Sequence, residues 1–173
     1  MTWDELVAFL DGARIASVLL EGQWDPDDSP HDFHPLGPVY IATDRGLLRV
    51  AETSPNSGAV CCQIVDAPTF EGYEAMAAEN SPNLGVAALG LELLGIDVSE
   101  ATVRGLRCAY GIAGPYEGRI VLMTILADHG EAMTFNPWYY LRLRATAGDS
   151  LDRILANEHF LADIPTTVRT WTR

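Results

Sequence analysis

The sequence predicts an α+β fold: one or two antiparallel sheets of about six to seven strands, a buried mid-chain helix, and helices at both ends. Three observations predict it. VYIATDRGLLRV sets two apolar, β-branched stretches either side of the turn-forming Thr43-Asp44-Arg45-Gly46, the pattern of a β-hairpin. SPNLGVAALGLELLGI is apolar almost all the way round, with Ser81 as a cap and Pro82 in the first turn, the pattern of a buried helix. Several further strand-length runs follow one another with short connections, which favours antiparallel neighbours.

Taken in order, TWDELVAFLDG opens with Thr2 three residues before Glu5, the spacing of a capping box, so a short helix runs from about Trp3 to Leu10 and Gly12 ends it. Arg14 to Leu20 is a continuous apolar run of strand length. After the hairpin, Ala59 to Val65 makes a third adjoining strand, and EGYEAMAAEN turns helical. The second half returns to strands at TVRGLRCAY, GRIVLMTILAD and EAMTFNPWYYLRLRA, with Asp128-His129-Gly130 as the turn between the last two. Arg119 to Leu126 is apolar on both faces and belongs at the centre of the sheet. DSLDRILANEHFL closes the pattern as an amphipathic helix, and TTVRTWTR follows as a polar tail anchored by Trp171.

At 173 residues the chain fits a single domain, residues 1–173, with 48% hydrophobic residues to build its core. The start MTWDELVAFLDGAR is acidic, and no apolar run is long enough for a signal peptide or a membrane span, so a cytoplasmic protein is expected. Cys61, Cys62 and Cys108 read as reduced, buried thiols. The formal charge of −13 sets the chain against nucleic acid and anionic membranes, and its natural partners are cations or basic proteins. All 11 basic residues are arginines. Without lysine there is no Walker A loop of the usual kind, no Schiff-base chemistry, no pyridoxal phosphate anchor and no lysine-based kinase site.

QWDPDDSPHDFHP, Gln23 to Pro35, gathers Asp25, Asp27, Asp28, His31, Asp32 and His34. The His-x-x-His spacing with carboxylates offers nitrogen and oxygen ligands, yet three prolines break the loop, no third His or Cys stands at a metal-site spacing, and the glycine and glutamate of a calcium loop are missing. A solvated acidic loop accounts for it, and no metal or cofactor is expected. A cysteine nucleophile paired with His129 or His159 has no local support, and there is no Gly-x-Ser-x-Gly elbow, dinucleotide fingerprint or His-Glu-x-x-His helix. Asn136, Trp138, Tyr140 and Arg142 share one strand face and are residue types enriched at interface centres, with packing beneath the terminal helix as the alternative.

In length, charge and composition the chain resembles the immunity proteins of bacterial polymorphic toxin systems, in particular the actinobacterial immunity factors against NAD-glycohydrolase toxins. The resemblance implies a non-enzymatic inhibitor that occludes the active site of a cognate toxin whose active-site region is basic. On that reading Trp24, Asp25, Asp27, Asp28, Asp32 and Phe33 of the acidic loop, with Trp138 and Tyr140, contact the partner. The competing reading is a small enzyme or ligand binder with a pocket between the sheet and a helix over Leu84 to Leu94, lined by Tyr110, Tyr139 and Tyr140.

Overall fold

A computed structural model of the chain describes residues 1–24, 33–54, 57–68, 84–87, 98, 100–128, 132–137, 143–157 and 163–173. Its first element is the helix α1 (Trp3–Leu10), and the capping box is present: the Thr2 hydroxyl accepts from the Glu5 N–H while the Thr2 N–H donates to the Glu5 carboxylate at 2.7 Å. Those bonds hold the exposed Glu5 carboxyl below its usual pKa range. Leu6, Phe9 and Leu10 fall on one face at helical spacing and are buried. The chain leaves the helix through Gly12, whose φ of 71° is left-handed and suits glycine.

Among the described residues ten strands follow: β1 (Ile15–Trp24), β2 (Phe33–Thr43), β3 (Gly46–Glu52), β4 (Val60–Val65), β5 (Leu84–Ala87), β6 (Val103–Gly111), β7 (Ile120–Ala127), β8 (Ala132–Asn136), β9 (Arg144–Ala147) and β10 (Thr166–Thr172). A short helix α2 (Leu151–Asn157) lies between β9 and β10. All ten strands belong to one antiparallel sheet, ordered β10-β6-β7-β4-β3-β2-β1-β5, with β8 and β9 branching from β7. The expected hairpin is β2–β3, which turns between Thr43 and Gly46.

Three strands divide one edge between two neighbours. The free side of β1 meets β5 at Leu20 to Gln23 and, at its other end, the backbone just before β6. β7 meets β4 through the single pair Val60 and Ile120, then β8 from Met123 to Leu126. β6 carries β10 along Gly105 to Gly111, while Val103 donates to the Ala13 carbonyl at 2.9 Å. Ile15 N–H to Ala101 and Glu100 N–H to Ile15, at 2.9 and 2.8 Å, complete this seam, so the sheet curls back on itself. The inward side chains Ile15, Leu20, Ile41, Leu48, Val50, Leu106, Met123, Ile125 and Phe135 make the main core, and α1 packs into it. β7 is buried on both faces, as its apolar run requires. Its outer face and that of β6 carry Ala109 and Leu122 against Leu151, Ile154 and Leu155 of α2.

This architecture overturns the α+β arrangement of six to seven strands with a buried mid-chain helix and helices at both ends. Leu84 to Ala87, expected to open the buried helix, pair instead with β1, where Gly85 lies opposite Gly22. An all-round apolar segment also suits a strand covered on both faces, and the β1 edge supplies backbone partners that must be satisfied. The tail TTVRTWTR is β10, because alternating Thr and Val favour extended backbone and the β6 edge takes them. EAMTFNPWYYLRLRA is not one strand: it stops at Asn136 before Pro137, which has no N–H to give a ladder, and returns as β9 beside β8. The expected helix EGYEAMAAEN lies outside the described residues.

α2 is fastened by charge as well as packing. Arg107 of β6 reaches Asp149 at 2.6 Å and Asp152 at 2.7 Å, and the Asp152 bond first, then Asp149, raises its pKa. Arg107→Gln is expected to cost about 1 kcal/mol in urea unfolding at low salt, since these carboxylates are partly solvated. The difference should shrink in about 1 M NaCl, where charges are screened within about 3 Å. A loss independent of salt would assign Arg107 a packing role instead.

Candidate functional site

Beside the single β4–β7 pair lies a cleft of about 370 Å³. Trp3 from α1, Cys61 and Cys62 from β4, Tyr110 from β6, Arg119 from the turn before β7 and Arg169 from β10 line it, with Val60 and Ile120 as apolar floor. The sequence brings them together by register. Arg169 pairs with Cys108 and Thr167 with Tyr110, so β10 lays its guanidinium beside the ring of β6.

The placement of Arg119 depends on glycine. Gly111 N–H donates to the Arg119 carbonyl at 3.1 Å and Gly118 N–H to the Gly111 carbonyl at 2.9 Å. A Cβ built on Gly111 would sit 2.4 Å from the Tyr116 carbonyl oxygen, closer than any side chain allows. The Arg169 guanidinium carbon stands 4.7 Å from the centre of the Trp3 ring, a cation–π contact. Trp3 and Tyr110 meet edge to face, centroids 6.4 Å apart at 66°.

Burial sets the protonation of this region. It pushes the Cys62 thiol up to about 12, with the neighbouring Cys61 adding to the shift, and raises Cys108 as well. It also pushes the Tyr110 hydroxyl up to about 12. At neutral pH these groups are protonated, so Cys62 in the cleft and Cys108 in the core behave as apolar groups rather than nucleophiles and Tyr110 is a hydrogen-bond donor. The described lining thus offers arginines, aromatic rings, hydroxyls and the protonated Cys62 thiol, groups suited to holding a ligand.

The raised thiols carry a stability prediction. Folded pKa values above the unfolded value of about 8.5 mean that the unfolded chain releases protons first as pH rises. Stability is therefore complete below about pH 8.5 and declines from there towards about 12. Melting temperature recorded from pH 7 to 10.5 should fall above pH 8.5, and Cys62→Ala should flatten that fall whatever its effect at pH 7. Parallel pH profiles for the two proteins would refute it.

Of the residues expected to contact a partner, Trp24 ends β1 and Phe33 begins β2, and the two are register partners. Asp25, Asp27, Asp28 and Asp32, with His31, form the segment joining these paired ends and lie outside the described residues, as do Trp138 and Tyr140. His34 pairs with Gln23 in the β1–β2 ladder. Among the described residues no group of three or more His, Cys, Asp or Glu side chains could hold a metal ion. Of the segment Leu84 to Leu94 expected to wall a ligand pocket, Leu84–Ala87 are β5 and the remainder lies outside the described residues. Tyr110 does line a cleft, but a different one, and Tyr139 and Tyr140 lie outside the described residues.

Sequence patterns gave no sign of Trp3, Arg119 and Arg169 as a group, because they are about 50 to 170 positions apart and share no local motif. Nor did they single out Glu21, buried on β1, whose carboxylate accepts from the Tyr40 hydroxyl at 2.9 Å. No helix among the described residues is long and apolar enough to cross a membrane. No protein family, curated protein sequence or solved structure matches the chain.

Proposed function

We propose that the protein is a non-catalytic inhibitor that binds a basic partner, in the manner of an immunity protein occluding the active site of a cognate toxin. The supporting observation is how the positive charge is disposed. Arg14 pairs with Glu100, Arg107 with Asp149 and Asp152, and Arg173 with Asp11. Arg45 donates to the Ala8 and Phe9 carbonyls, Arg49 to Gln63 and Arg153 to Ser150. With these arginines engaged by the protein's own acceptors, little free positive charge offsets the chain's formal net charge of −13. A strongly negative surface speeds encounter with a positive one, while a few aromatic anchors supply affinity.

The acidic segment suits that role because it is carried where β1 and β2 end in register. Trp24 and Phe33 flank it as anchor candidates. On this reading the partner is a secreted toxin domain with a basic active site, an NAD-glycohydrolase being the first to try. The test titrates the protein into such a domain, taken from the neighbouring coding region, and follows NAD cleavage. Stoichiometric loss of cleavage is expected, with association slowing as salt rises. Converting Asp25, Asp27, Asp28 and Asp32 together to Asn should slow association at least about tenfold at low salt. Undiminished cleavage at saturating protein would sink the reading.

A further inference from the structure

We propose that the Trp3–Tyr110–Arg169–Arg119 cleft is a binding site for a small organic anion in which a flat ring carries a carboxylate or phosphate. In a chain with 24 acidic and 11 basic residues, two arginines, Arg119 and Arg169, line this one cleft, and neither forms an ion pair among the described residues. Arg14, Arg107 and Arg173 meet the chain's own carboxylates, whereas the described residues lining this cleft include no Asp or Glu. The Arg169 guanidinium carbon lies over the Trp3 ring. A guanidinium carries its N–H donors in a planar fork that suits bidentate contact with an oxyanion.

The helix end does not provide the positive charge, because its N-cap is closed by the Thr2–Glu5 box and carries Asp4 and Glu5 in its first turn. The ring preference comes from the other walls. Trp3 and Tyr110 present an edge-to-face pair, Val60 and Ile120 an apolar floor, and the protonated Tyr110 hydroxyl one further donor. A volume of about 370 Å³ suits one ring with its anionic group, near the lower end of ligand pockets at about 300–1,000 Å³. The acidic remainder of the surface opposes an anion only weakly, since its field is damped beyond about 8–10 Å in physiological salt. The guanidinium groups act in contact and prevail.

Anion binding in this cleft is independent of toxin inhibition, which neither supports nor weakens it. Titration calorimetry of the whole chain with benzoate, AMP, inorganic phosphate, benzamide and adenosine tests it, with the Trp indole signals followed by NMR. Benzoate or AMP should bind at least about tenfold more tightly than its neutral counterpart, and more tightly than inorganic phosphate. Which of the two prevails identifies the oxyanion. Arg169→Gln and Arg119→Gln, both at exposed positions, should each weaken that binding by roughly tenfold with the melting temperature unchanged. The proposal is overturned if the neutral compounds or phosphate bind equally well, if both Gln variants retain full affinity, or if none of the five compounds binds.

Discussion

Phe135→Ala is expected to lower the free energy of unfolding by about 3–5 kcal/mol, the range for a large aromatic removed from a closed core. Phe135 is fully buried on β8, opposite Met123 of β7, and belongs to the cluster that fills the curled sheet. Every residue of β8 is buried, so the neighbours cannot swing in from solvent to fill the gap. Guanidinium unfolding should show a lower midpoint with an unchanged slope. A loss below about 1.5 kcal/mol would place Phe135 outside a packed core.

Thr134→Val is expected to cost about 2–4 kcal/mol although it removes no volume. The Thr134 hydroxyl donates to the Gly148 carbonyl at 2.7 Å and accepts from the Ser150 N–H at 3.0 Å. Its single proton being spent on Gly148, the 2.9 Å contact with Thr124 must be a bond donated by Thr124. One fully buried hydroxyl thus ties β7, β8 and the approach to α2, and valine leaves three polar groups without it, two of them on the buried residues Thr124 and Ser150. In the double variant Thr124→Val/Thr134→Val, the second change should cost less than it does alone, because one of the stranded groups is gone. Strict additivity would show that the two hydroxyls do not interact.

What the residues announced and what they concealed divides along the range of the interaction. The capping box, the Thr43–Gly46 turn and the doubly apolar β7 are each decided within about ten neighbouring positions, and pattern reading finds them. Leu84 to Ala87 and Thr166 to Thr172 are not decided locally: each is extended because a distant strand edge needs hydrogen-bond partners there. The same holds at the cleft. Trp3, Tyr110, Arg119 and Arg169 each look ordinary in their own segment, an amphipathic helix, a strand, a turn and a polar tail. Only the β6–β10 register and the Gly111 turn make them neighbours.

The divided edges also say how the molecule comes apart. Among the described residues β1 to β5 pair only among themselves, as do β6 to β10, except at the Val60–Ile120 pair and the seam linking residues 13–15 to 100–103. The protein is therefore two leaves, each knit by continuous ladders, clasped along two short margins. Amide hydrogen exchange under native conditions should register this as two protection blocks, with Ile15 and Val103 N–H exchanging before the ladder interiors of either leaf. A single uniform block would mean that the shared core, rather than the backbone pairing, holds the leaves shut. The thinnest join in the sheet, the Val60–Ile120 pair, is also a wall of the cleft, so the margin between the leaves and the candidate site share the same two residues.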